Sequence, residues 1–136
     1  MDYIKKVSKG ILVSHKGEEK LIKKGLRQFF NELLINEYVT LSGRLEAIKR
    51  KHRLFRNIPI YINHSHCFYT LTSIRSNNTL CLNYYQILSF QKLTKTQTLV
   101  LFTNLSKIIV EMEYERILKK HSKVTWFLEL MDKEHT

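Results

Sequence analysis

Six cations fall within a short stretch of this chain: Arg44, Lys49, Arg50, Lys51, Arg53 and Arg56, with Glu46 the one acid among them. Guanidinium forks and ammonium point charges at this density suit phosphate oxygens. Each phosphate neutralised releases condensed counterions, so such a contact weakens steeply with salt. The bland alternative is the solvated face of a helix. Two further sets of donors lie in polar turns. Lys92 and Lys95 sit among Thr and Gln, and Arg75 sits in the run SIRSNNT. Loops of this kind can grip backbone or reach the acceptors on A·T groove edges. They can equally be soluble hairpin tips.

Other chemistries lack their residues. The chain has no Gly-rich phosphate loop, no Gly-x-Ser-x-Gly and no Cys-x-x-Cys. Residues 59–110 contain no carboxylate at all. That stretch therefore cannot supply paired acids for general acid–base work, or the acid cluster a nuclease uses to hold its ion. The reading is of a protein that is not an enzyme, with no catalytic residue, no cofactor and no small-molecule substrate. His64-x-His66-Cys67 could suggest zinc, but a tetrahedral site needs three or four converging ligands and only Cys81 is at hand to add. A plain turn with no metal is the simpler expectation. Cys67 and Cys81 are too few for a disulfide framework and read as small apolar residues. Tyr61, Phe68, Tyr69, Tyr84, Tyr85 and Phe90 could stack unpaired bases, although alternating strand aromatics more often fill a core.

The elements that must position these groups follow from periodicity. Leu41, Leu45, Ile48, His52 and Phe55 are spaced 4, 3, 4, 3, which predicts an amphipathic helix over 41–56. Ser42 would cap its start and Pro59 lies beyond its end. Residues 18–38 also have helical period, through Leu21, Ile22, Leu26, Phe29, Phe30, Leu33 and Leu34. Glu18 and Glu19 would suit the positive end of that helix, and Gly25 marks where it starts or breaks. Residues 3–16 predict a strand or short hairpin. From Ile58 the period becomes two, giving strands near 58–62, 67–72, 80–90, 98–103 and 107–112. A helix over 114–131 closes the chain, and could dock on the sheet or form a dimer seam. The prediction is one α+β domain over 1–136: a mainly antiparallel sheet of about residues 58–112, packed with N-terminal and central helices and a C-terminal helix.

Charge and hydropathy set the compartment and partner. No apolar run reaches the ~18 residues of a membrane span, and no signal-peptide apolar region is present, so a cytoplasmic protein is expected. The formal charge of +11 is uneven. Residues 1–58 carry 14 Lys/Arg against 6 Asp/Glu, residues 59–110 carry 4 against none, and residues 111–136 carry 5 against 6. A localised excess favours a localised anionic partner, nucleic acid first and an anionic membrane surface second.

Ser42-Gly43-Arg44, the basic segment, and then Ile58-Pro59-Ile60-Tyr61-Ile62-Asn63 together resemble the competence transcription factor family, ComK. Further landmarks follow at matching spacing. Phe68-Tyr69-Thr70-Leu71-Thr72-Ser73 stands where the family has a Phe-Pro-Thr-x-Ser element. Leu80-Cys81-Leu82-Asn83 occupies a Trp-Ile strand, and Phe102-Thr103-Asn104 with Tyr114 matches a Phe-x-Asn-Gly hairpin and Ser-Tyr pair. The resemblance covers roughly residues 38–125. This chain departs from the pattern at Tyr69, which replaces a proline, near Leu82, where no tryptophan stands, and at Leu105, which replaces the hairpin glycine. It is also short at its C-terminal end. The resemblance implies a sequence-specific activator of DNA-uptake genes. It implies binding to A·T-rich double-stranded DNA from the minor-groove side as a homodimer or tetramer, and regulation through an adaptor and proteolysis. The DNA-contacting set would be Arg44, Lys49, Arg50, Lys51, Arg53, Arg56, Arg75, Lys92 and Lys95. Two other readings remain: a shortened paralogue that pairs with a full-length partner or adaptor, and a basic peripheral membrane-binding domain.

Overall fold

In the computed structural model, residues 1–54, 56–72 and 79–134 are described, Glu134 by its backbone alone. The chain divides into two compact units, Met1–Gln86 and Ile87–Thr136. The fold class is α+β, as the periodicity predicts, with three helices and two antiparallel sheets among the described residues.

The first unit opens with a three-stranded meander, β1 (Tyr3–Val7), β2 (Gly10–His15) and β3 (Glu18–Ile22). Two helices follow, α1 (Leu26–Ile35) and α2 (Leu41–His52). Strands β4 (Ile60–Asn63), β5 (His66–Thr70) and β6 (Leu80–Asn83) and a 3-10 turn at Tyr84–Gln86 complete it. The six strands form one sheet in the order β3-β2-β1-β6-β5-β4. Hairpins account for four of its five pairings. The fifth joins β1 to β6 in the register Tyr3↔Leu82 and Ile4↔Cys81, across most of the unit's sequence. Asn83 ties the same seam, donating from Nδ2 to Met1 O at 2.8 Å.

The core lies between one face of this sheet and the two helices. Ile4, Ile11, Val13, Ile60, Ile62, Phe68 and Cys81 supply the sheet side. From α1, Leu26, Phe30 and Leu34 recur every four residues and so share one face. The Phe30 and Phe68 rings meet at 5.3 Å between centroids. Each such side chain, fully buried, contributes roughly 1.5–3 kcal/mol of transfer free energy.

Three features differ from the sequence reading. Residues 18–22 are a strand, not the first turn of a helix, because β3 pairs with β2 from Ile11↔Ile22 to His15↔Glu18. The helix begins only after Gly25, whose backbone is extended at the N-cap. Glu19 therefore has no helix dipole to meet. It accepts a hydrogen bond from Tyr3 Oη at 2.6 Å, and burial together with that acceptor pushes the Tyr3 phenol up to about 12. Secondly, α2 ends at His52, short of Arg56, with Arg53 in the left-handed conformation at φ 54° as its C-cap. Thirdly, the strands expected as one sheet over 58–112 are shared between two sheets, and the larger one recruits the N-terminal meander.

The second unit is a three-stranded meander, β7 (Ile87–Lys92), β8 (Thr98–Phe102) and β9 (Lys107–Val110), followed by α3 (Tyr114–Glu134). Val100 and Phe102 of β8 alternate inward and are fully buried, as are Ile117 and Phe127 of α3. The His121 ring of α3 meets the Phe90 ring of β7 at 5.1 Å between centroids and an interplanar angle of 76°. Leu105 takes the glycine-like backbone its position in the β8–β9 turn demands, with φ 72°. That conformation costs an L-residue roughly 1–2 kcal/mol, yet its side chain is 70% exposed and recovers little by packing.

Candidate nucleic-acid interface

The start of α2 is fixed by a cap two residues ahead of Ser42. Thr40 is the N-cap residue, and its side chain accepts from Gly43 N–H at 3.0 Å. Gly43 suits this geometry, since a Cβ there would press against Thr40 Oγ1. The Leu41 N–H is satisfied by Asn31 Oδ1 of α1 at 2.9 Å. Ser42 is exposed and does not serve as the cap. Leu41 and Ile48, seven residues apart and so on one face, are buried, and Leu45 between them packs against the core.

Arg44 is used differently from the cations that follow it. Its guanidinium lies over the Tyr61 ring at 5.5 Å from the centroid, and Nη1 donates to Tyr61 O at 3.3 Å. Half-buried in this way, it clamps α2 to β4. The remaining cations crowd the other end of the helix. Lys49, Arg50, Lys51, Arg53 and Arg56 are all exposed. Their position at the negative end of the helix dipole is favourable in itself. Arg50 Nε also pairs with Glu46 Oε1 at 2.7 Å, and that hydrogen bond holds the Glu46 carboxyl below the usual range. Both partners are well exposed, so the pair is screened and can be exchanged for a phosphate at small cost. Phe55, expected on the buried face, lies outside the described residues, as does Arg75.

Lys92 and Lys95 are exposed in and beside the β7–β8 turn. They belong to the second unit, whereas the α2 cations belong to the first. The turn closes through Leu93 N–H to Gln97 O at 3.1 Å. The aromatics expected on strands divide, and Tyr84 and Tyr85 lie in the 3-10 turn instead. Phe68 and Tyr69 are buried and fill the interior, while Tyr61, Tyr84 and Tyr85 are half-buried. Of the His64-x-His66-Cys67 run, His66 stacks on Phe68 and its Nδ1 lies 3.2 Å from Asn63 Oδ1. Cys67 and Cys81 are buried, and burial pushes both thiols up to about 12. Among the described residues no three His, Cys, Asp or Glu side chains are grouped to hold a metal ion. None of the described helices is long and apolar enough to cross a membrane.

A second concentration of cations escaped the periodicity argument. Lys6, Lys9, Lys23 and Lys24 line one cleft of about 400 Å³. They lie in two separate sequence segments, and only strand pairing brings them together.

The ComK family model, described as ComK protein, matches residues 4–136. The match extends well past the landmarks at 38–125 and takes in the N-terminal meander and α3. No curated protein matches the chain, and no solved structure does. The chain belongs to the ComK family, a family of competence transcription factors rather than enzymes.

Proposed function

We propose that this member of the ComK family is a sequence-specific DNA-binding activator of DNA-uptake genes that meets A·T-rich boxes through phosphate and minor-groove contacts. The observation that carries the reading is the division of labour along α2. Leu41, Ile48 and Arg44 hold the helix to the core and to β4, and this leaves Lys49, Arg50, Lys51, Arg53 and Arg56 exposed together at its far end. Lys49, Arg50 and Lys51 stand on the last turn of a helix that needs no backbone rearrangement, with Arg53 as its C-cap, so little backbone ordering is needed when phosphates replace water around them. Arg50 exchanges Glu46 for a phosphate oxygen. Arg75, Lys92 and Lys95 serve as further groove or backbone donors. Paired boxes are met by a homodimer or tetramer, since a twofold protein mirrors paired half-sites. Family membership supports this assembly and control by an adaptor and proteolysis.

Salt-titrated binding to an A·T-rich and a G·C-rich duplex of equal length tests the reading. The A·T-rich duplex is expected to bind more tightly at every salt concentration, with log K falling linearly against log salt for both. Equal affinities would remove sequence-specific activation. Binding to anionic phospholipid vesicles but to neither duplex would replace the DNA reading with the membrane one.

A further inference from the structure

We propose that the cleft where the β1–β2 turn meets the end of β3 is a second phosphate-binding surface, which takes the sugar–phosphate backbone of duplex DNA separately from α2. This inference rests on the DNA-binding reading above and adds a contact that α2 does not make.

The cleft is lined by Lys6, Lys9, Lys23 and Lys24, and no carboxylate lines it. Lys24 is paired with Glu32 at 2.6 Å. Lys9 and Lys23 are exposed and Lys6 is half-buried. The grouping is a product of the fold. Val7 pairs with Gly10 and Ile11 with Ile22, which sets Lys9, just before Gly10, beside Lys23, just after Ile22. Gly10 makes the approach possible. Its φ is 143°, and a Cβ there would run into Ile22 O and crowd Lys23 Cα.

The meander is also polar along its length. The opposite end, at the β2–β3 turn, balances Lys16 and Lys20 with Glu18 and Glu19, whereas the cleft end gathers lysines with no acid lining it. Like charges around a concavity repel one another and destabilise the compact state, and a bound polyanion removes that cost. Apolar walls, here Val7 and Leu26, focus the field into the cleft. Lysine ammoniums are point charges without a fixed fork, suited to phosphate oxygens and poor at reading base edges. The cleft therefore adds affinity without sequence preference.

The test is the Lys9→Gln/Lys23→Gln double variant of the full chain, with Lys16→Gln/Lys20→Gln as a control that removes the same charge elsewhere on the meander. Both are titrated with salt on the A·T-rich and the G·C-rich duplex, and thermal midpoints check that each is folded. The cleft variant is expected to lower the slope of log K against log salt by about 0.9 for each phosphate no longer neutralised, roughly 1.8 in all, equally on both duplexes. The control variant is expected to keep the wild-type slope. Four results overturn the inference. An unchanged slope in the cleft variant, when the wild type binds, does so and leaves the α2 reading standing. So does a weakening confined to the A·T-rich duplex, or an equal weakening in the control. A wild type that binds neither duplex removes the DNA reading, and this surface with it.

Discussion

His121 sits half-buried on α3 with its ring edge-on to Phe90, and burial lowers its pKa from the ordinary value near 6.5. The fold thus favours the neutral ring. On acidification the unfolded chain takes up this proton first, so the stabilisation is complete above about pH 6.5 and is lost as pH falls through the lower folded-state value. His66 is shifted in the same direction, by burial first and then by the charge of the chain's N-terminus. The thermal midpoint is therefore expected to drop between about pH 7 and pH 5. His121→Gln, which removes one of the two titrations, is expected to make that drop shallower. An identical pH profile in the variant would show that His121 is not held neutral by the fold.

At the scale of elements, the cap of α2 separates what spacing reveals from what packing decides. Thr40 and Ser42 are both good N-cap residues, and the run Thr40-Leu41-Ser42-Gly43 does not choose between them. The choice falls to Thr40 because Leu41 must be buried and its N–H reaches Asn31 on α1. Thr40→Ala is expected to destabilise the protein by about 1 kcal/mol in denaturant titration, and Ser42→Ala to change it by a few tenths at most. The reverse order would move the cap to Ser42. The same limit explains β3. Glu18–Ile22 has its apolar residues, Leu21 and Ile22, at the end next to α1, and so extends a helical period by chance. Strand pairing with β2 overrides it, a tertiary effect invisible to a window of local residues. The run from Leu80 to Phe90 carries no Gly or Pro, and the one local mark of the 3-10 turn at Tyr84–Gln86 is Asn83, whose Oδ1 accepts from Tyr85 N–H at 3.3 Å; one sheet ends there and the next begins. The class α+β, α2 and α3 were legible because long periodic segments bury one face.

Over the whole molecule the charge is divided as the chain is. Residues 1–86 hold 15 Lys/Arg against 6 Asp/Glu, and residues 87–136 hold 8 against 6. The excess was readable from the sequence. Its concentration at one end of α2 was readable too, since Lys49, Arg50, Lys51 and Arg53 fall within five consecutive positions of the sequence. The lysine cleft was not, because its members come from segments joined only by the register of β1, β2 and β3. The molecule then offers two cationic surfaces of different construction, a helix end with arginines and a cleft with lysines. Arginine forks suit a narrow groove as well as phosphates, whereas lysines, as point charges, suit phosphates better than base edges. Arg50→Ala/Arg53→Ala is therefore expected to do two things in duplex titrations. It should flatten the salt slope by about 0.9 for each phosphate left without its cation, and it should reduce the preference for A·T-rich over G·C-rich DNA. A flattened slope with the preference intact would make this end of α2 a backbone contact only, and would move base discrimination to Arg75, Lys92 and Lys95. An unchanged slope would place the binding surface away from α2 altogether.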